Sequence, residues 1–190
     1  MKQIDLYKLH KKLERILDED RYLHTLGVEY TAAALAMKYS CNIKKARLAG
    51  LLHDCAKGME ASDYIEFADK YNIPVNEAER SNPGLLHAKI GGFLAMKKYH
   101  VSDPDIIEAI LCHTTGKPDM TMLEKIIYVA DYIEPGRDKM DRLPEIREAA
   151  FTDIDSALKM ILEDTINHIK SKGYVMDPMT EKTFLFYKDK

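Results

Sequence analysis

Asn42-Ile43-Lys44-Lys45-Ala46-Arg47-Leu48-Ala49-Gly50-Leu51-Leu52-His53-Asp54-Cys55-Ala56-Lys57-Gly58 reads as a helix with an unusual end. Asn42 is a good N-cap, Ala46, Leu48 and Leu52 supply the apolar periodicity, and Gly58 is the expected stop. His53 and Asp54 follow Leu51-Leu52 directly, where polar side chains are costly to bury without partners. A bound cation is one partner that suits an imidazole and a carboxylate together. The stretch therefore predicts a helical protein with a polar centre at the end of an apolar helix.

The flanking sequence is helical in the same way. Leu6, Leu9, Leu13 and Ile16 predict a first helix over 5–17, and a second runs from Asp20 to about Tyr39. Ser62 starts a fourth that ends near Tyr71 before Pro74, and 72–81 is expected to be irregular. Asn82-Pro83 opens a helix to about Tyr99, and Asp103-Pro104 opens one ending near Gly116. Thr121 with Glu124 is a capping box for a helix that Pro135 closes. Asp153 to Lys172, stopped by Gly173, is a long helix with lysines in its last turn. Thr183 to Tyr187 is strand-like by propensity, but Asp177-Pro178 before it signals a final short helix. No repeat, low-complexity tract or linker interrupts the chain. The expected architecture is a single all-α domain over 1–190.

Composition bounds the function. Formal charge is −3, against a dedicated nucleic-acid binder, although a small basic pocket for phosphates stays open. Hydrophobic residues at 46% and charged ones at 31% suit an ordinary globular chain. No stretch is long and apolar enough for a membrane span, and Met1 to Lys12 is too charged for a signal peptide. Cys41, Cys55 and Cys112 form no C-x-x-C pair, and an odd count suits a reducing compartment, so the cytoplasm is expected.

A metal site needs ligands beyond His53 and Asp54, drawn from other helices. His24 lies on the preceding helix, in Tyr22-Leu23-His24-Thr25-Leu26-Gly27. Asp131 lies within the apolar helical stretch Tyr128-Val129-Ala130-Asp131-Tyr132-Ile133. The order His24, His53-Asp54, Asp131 resembles the HD superfamily of metal-dependent phosphohydrolases. His87, in Leu86-His87-Ala88, and His113, in Cys112-His113-Thr114-Thr115-Gly116, fall where some HD families carry extra histidines. Each can ligate a second metal or contact a phosphate. Thr114, Thr115 and Gly116 favour the phosphate role for His113, and for His87 both roles stay open. His10, His100 and His168 have no such context and are expected at the surface.

His53-Asp54-Cys55-Ala56-Lys57, Cys112-His113-Thr114-Thr115-Gly116 and Ala130-Asp131-Tyr132-Ile133-Glu134-Pro135-Gly136-Arg137 resemble the YqeK-type branch, the symmetrical diadenosine tetraphosphate hydrolases. No Gly-Tyr-Pro follows the His-Asp pair, which sets the chain apart from the cyclic dinucleotide phosphodiesterases. The resemblance implies a helical bundle with the metal among central helices, and iron as that metal. The residue types, for a divalent or trivalent transition metal, also allow manganese, zinc or cobalt.

Arg21, Lys57 and Arg137 cluster in sequence around the candidate ligands and suit a polyphosphate. Tyr132 and the segment with Lys170, Gly173 and Tyr174 can add substrate contacts, although lysines at a helix C-terminus also serve its dipole. The expected reaction is hydrolysis of a phosphoanhydride by metal-activated water. His24, His53, Asp54 and Asp131 would be the ligands, with Asp54 and Lys57 catalytic. The implied substrate is a dinucleoside tetraphosphate, cut in the middle to two nucleoside diphosphates. An HD-type nucleotidase or nucleoside triphosphatase, and a non-catalytic nucleotide-sensing module, are the alternatives. No nucleic acid or membrane partner is expected, and a homodimer is among the assemblies the sequence allows.

Overall fold

The computed structural model describes residues 4–189, so both ends of the expected 1–190 span lie outside the described residues. The order is α1 (Leu6–Glu14), α2 (Glu19–Lys38), α3 (Ile43–Leu52), α4 (Ala61–Lys70), α5 (Glu77–Ser81), a 3₁₀ turn (Pro83–Leu86) and α6 (His87–Lys97). It continues with α7 (Pro104–Cys112), α8 (Met122–Ile133), α9 (Leu143–Thr152), α10 (Ile154–Lys172) and α11 (Pro178–Tyr187). No strand occurs among the described residues.

Capping chemistry sets most boundaries. Asn42 accepts from Lys45 N–H, Asp153 from Asp155 N–H and Asp177 from Met179 N–H, each relieving an orphan donor of a first turn. Thr121 and Glu124 form the reciprocal capping box. Gly173, at φ 65°, ends α10 in the left-handed conformation that glycine adopts without strain.

Five expectations need correction. Helix α7 stops at Cys112, not near Gly116, and Gly116 N–H closes the turn after it on Cys112 O. Helix α3 stops at Leu52, not Gly58; residues 53–58 form turns, with Cys55 N–H on Leu52 O and Lys57 N–H on Asp54 O. The 72–81 stretch contains α5, one turn closed by an Asn76–Glu79 capping box. Asn82-Pro83 opens a 3₁₀ turn before α6, and the Asn82 side chain makes no cap bond. Helix α9 has no counterpart in the sequence reading, because Arg142 at its N-cap makes no side-chain cap bond.

Helices α2, α3, α7, α8 and α10 surround the main core, where Leu35, Leu51, Ile110, Ile126, Ile127 and Leu158 are fully buried. Truncating such a side chain to Ala costs about 2–5 kcal/mol. Gly50 lets α3 lie close on α2, since a Cβ there would stand 3.1 Å from Glu29 Cα. That approach brings His53 toward His24. A smaller apolar cluster of Ala56, Tyr64, Ala68, Leu86 and Ile90 fixes the turns after α3 against α4 and α6. The site residues therefore sit between two packed bodies of side chains.

Candidate active site

His53 and His113 stand just past the last turns of α3 and α7, and His87 just past the 3₁₀ turn before α6, so each ring reaches a carbonyl three residues back. His53 Nδ1 lies 2.7 Å from Gly50 O, His87 Nδ1 2.6 Å from Gly84 O, and His113 Nδ1 2.7 Å from Ile110 O. A carbonyl only accepts, so each Nδ1 carries the proton and each Nε2 presents a lone pair. His24, inside α2, turns Nδ1 to Glu134 Oε1 at 3.1 Å instead.

The four Nε2 atoms converge on Asp54. Its Oδ2 is 3.6 Å from His53 Nε2 and 3.9 Å from His24 Nε2, and its Oδ1 is 3.2 Å from His87 Nε2 and 3.6 Å from His113 Nε2. Asp131 Oδ1 completes the first group, 3.0 Å from His24 Nε2 and 3.8 Å from His53 Nε2. Nε2 of His53 lies 3.3 Å from that of His24, and Nε2 of His87 lies 3.0 Å from that of His113. Lone pairs aimed at one another in a buried centre need a positive species between them. The donor set of imidazole nitrogens and carboxylate oxygens fits a transition metal, and two triads, His24–His53–Asp131 and His53–Asp54–His113, have the compactness to hold one.

A model of the HD domain matches residues 21–136, more than half of the chain and all six of these residues. The chain belongs to the HD domain family. Among its relatives, a Bacillus subtilis protein named symmetrical bis(5'-nucleosyl)-tetraphosphatase is 39% identical over 90% of this chain and 89% of its own. A Halalkalibacterium halodurans protein of the same name is 35% identical over 96% of this chain and 94% of its own. A crystal structure from Clostridium acetobutylicum, titled a predicted HD superfamily hydrolase involved in NAD metabolism, superposes with a TM-score of 0.92. It is 39% identical and covers 97% of both chains. Family and donor set together imply a divalent metal in this HD domain.

Burial would raise the Asp54 carboxyl, and against it stand His53, His113 and His87, which lower it wherever their rings carry a second proton. Burial lowers His53 and takes His87 down to about 3, so both imidazoles are neutral, as ligation requires. For His24 the burial effect is outweighed by Asp131 and Glu134, which raise it.

Three of the predicted cations reach the HD site. Arg21 Nη1 is 2.7 Å from Asp54 Oδ2, and Arg137 Nη2 is 2.8 Å from Asp131 Oδ1. Lys57 Nζ stands 3.2 Å from His87 Nδ1, over a ring whose Nδ1 proton is already committed, and burial lowers its ammonium pKa. Thr114 Oγ1 is 3.2 Å from both His87 Nε2 and His113 Nε2. Beside His24, a cleft of about 670 Å³ opens between Arg21, Leu23, Pro135 and Arg137. Tyr132 donates to Asp164 Oδ2 rather than into the cluster. Lys170, Gly173 and Tyr174 form the exposed end of α10, where Tyr174 N–H reaches Ile169 O and its ring packs edge-on against exposed His168, away from the clustered site histidines.

His100 and His168 are exposed as expected, but His10 is not a plain surface residue. Its Nε2 lies 3.0 Å from Oε2 of the fully buried Glu29, whose other oxygen Arg47 binds at 2.7 Å. Sequence reading gave no role to two residues beside the cluster, Glu134 and Arg147. Arg147, on the unforeseen α9, donates to the carbonyls of Ile133, Glu134 and Arg137 and so fixes the turn that carries Arg137.

Proposed function

We propose that this chain is a metal-dependent symmetrical dinucleoside tetraphosphatase that splits diadenosine tetraphosphate into two ADP. The observation that carries the reading is the convergence of four imidazole Nε2 atoms on the two oxygens of one buried aspartate. Relatives spanning almost the whole chain bear that activity in their names, which narrows the phosphohydrolase to its substrate.

His24, His53, Asp131 and Asp54 Oδ2 would hold one metal. The mutual approach of His87 and His113 on Asp54 Oδ1 favours a second cation there over a bare phosphate contact. Iron is the proposed metal, with manganese, zinc or cobalt as substitutes. A bound divalent cation supplies an acidified water and a Lewis acid for phosphoryl oxygens. Asp54, whose two oxygens stand between the two histidine pairs, would orient the incoming water. Water oxygen bonds to one inner phosphorus, the central phosphoanhydride P–O bond breaks with its electron pair left on the departing ADP oxygen, and the water's proton passes to solvent. Lys57 and the arginines Arg21 and Arg137 face the charge that grows on the phosphoryl oxygens. Thr114, Tyr132 and the α10 terminus with Lys170, Gly173 and Tyr174 remain proposed contacts for the rest of the nucleotide.

One domain over 1–190, a cytoplasmic location, a homodimer, and no nucleic-acid or membrane partner complete the proposal. No helix among the described residues is long and apolar enough to cross a membrane. The test is metal analysis of the purified protein, followed by incubation with a nucleotide panel and chromatography. The expected result is bound transition metal, and only diphosphates from the tetraphosphate-linked dinucleotide. Monophosphate with triphosphate, or preferred turnover of mononucleotides, would favour another HD hydrolase. Nucleotide binding without turnover by the metal-loaded protein would leave a sensing module.

A further inference from the structure

Glu134 is 3% exposed, yet among the described residues no lysine or arginine reaches its carboxylate at hydrogen-bond distance; Arg137 Nε stands 3.8 Å from Oε1. Its oxygens go elsewhere. Oε1 faces His24 Nδ1 at 3.1 Å, and Oε2 accepts the Gly136 N–H.

His24 needs this acceptor for a reason of position. His53, His87 and His113 each use a carbonyl three residues back at a helix end. His24 lies well inside the 20-residue α2, where the neighbouring carbonyls already serve the helix ladder. An acceptor for its Nδ1–H must come from another element, and α8 supplies it. Asp131 meets Nε2 and Glu134, one turn later, meets Nδ1, so α8 holds the ring by both nitrogens.

Two glycines frame that carboxylate. Gly27 is one turn after His24, and a Cβ there would overlap Glu134 Oε2 and stand 3.1 Å from its Cδ. A Cβ on Gly136 would stand 3.0 Å from Oε2 and 3.1 Å from Oε1. At Gly27 the obstructing atoms are the end of a flexible side chain, so a methyl group displaces the carboxylate without rebuilding either helix.

We infer that Glu134 is the positioning residue of His24, fixing its Nδ1–H so that Nε2 stays aimed at the metal position, and that Gly27 is glycine to leave room for that carboxylate. The inference rests on His24 being a ligand. A carboxylate behind a ligating histidine also makes the ring a better donor, and losing such a partner typically costs 10–100-fold in metal affinity.

The test uses Zn²⁺ as probe, titrated into the metal-free full-length protein against a chromophoric chelator, with melting of the metal-free protein as the folding control. Glu134→Ala is expected to weaken Zn²⁺ binding by about 10–100-fold in a metal-free protein that still melts cooperatively, at a lower temperature because Gly136 N–H and His24 Nδ1–H lose their acceptor. Glu134→Gln, keeping one acceptor oxygen, falls between it and wild type. Gly27→Ala lowers affinity like Glu134→Ala, and the double variant is no weaker than Glu134→Ala, because both act through one carboxylate. Wild-type affinity in a folded Glu134→Ala, or additive losses in the double variant, would overturn the clamp while leaving the metal reading intact. Wild-type protein that fails to take up Zn²⁺ would overturn both.

Discussion

His87 and His113 hold their Nε2 atoms 3.0 Å apart, although the Nδ1 proton of each ring is committed to a carbonyl on its far side. Two lone pairs at that separation repel unless a proton or a cation lies between them. Burial takes His87 down to about 3, so a shared proton is disfavoured at neutral pH. The expected outcome is two metals per wild-type chain and about one in His87→Ala or His113→Ala, read by elemental analysis. Unchanged metal content with weakened substrate binding would return both histidines to the phosphate role.

Asp54 places one oxygen near each histidine pair, and it is 3% exposed. Asp54→Ala should abolish stable metal binding and lower turnover by about 10³-fold or more, which corresponds to about 4 kcal/mol of barrier. Metal analysis and product chromatography on the folded variant check this. Ordinary metal content and activity would remove Asp54 from the centre.

The Lys57 ammonium touches the His87 ring but no side chain of the first ligand group, so its loss should separate binding of metal from chemistry. Lys57→Ala is expected to keep its metal while kcat falls by about 10²–10³-fold, the range for removing one fixed group that stabilises transition-state charge. Parallel loss of metal and helicity would make Lys57 structural.

Acid should destabilise the metal-free protein through the same histidines. His53 and His87 titrate lower in the folded chain than the ordinary 6.5. Between that value and the folded one, the unfolded chain binds more protons, so stability falls as pH falls. Each such group costs up to about 1.4 kcal/mol per pH unit. His24 is raised, so its contribution is complete below 6.5 and lost only at higher pH, and Asp54 is lowered, so its contribution is lost only below 3.8. Neither cancels the slope between about 6 and 4.5. His87→Gln should therefore make the pH dependence of the urea midpoint shallower in that window. An unaltered slope would place the His87 titration elsewhere.

Local chemistry explains which parts of this protein were legible in its sequence. Asn42, Thr121 with Glu124, Asp153 and Gly173 act within a few residues of themselves, and each delimits the helix expected of it. His53 and Asp54 stood out because polar groups after Leu51-Leu52 need partners. Helix α3 ended early because its last carbonyls serve His53 Nδ1 and the turn that follows, which no periodicity reveals. His10 was misread because its partner Glu29 lies on another helix, and a buried glutamate looks like any other in sequence. Glu134 was visible in Ile133-Glu134-Pro135-Gly136-Arg137, but its role depends on α2 lying alongside.

Arg147 shows what such long-range dependence does to function. Its guanidinium reaches Ile133 O at 2.9 Å and Glu134 O at 2.8 Å, at the C-terminal end of α8 where carbonyls lack helical partners, and Arg137 O at 3.0 Å in the turn that follows. One planar fork thus closes the helix that carries Asp131 and sets the turn that points Arg137 at it. Arg147→Ala frees three carbonyls in a half-buried region, and a loss of about 2 kcal/mol is expected once water replaces part of the bonding. That corresponds to a fall of about 4–8 °C in melting temperature. Arg147→Lys should recover little of it, because an ammonium is a point charge and cannot span three diverging acceptors. Both variants should also raise KM for the tetraphosphate more than they lower metal content, since the turn orients Arg137 whereas Asp131 is anchored by the body of α8. A melting temperature and KM equal to wild type in Arg147→Ala would mean that the turn holds itself.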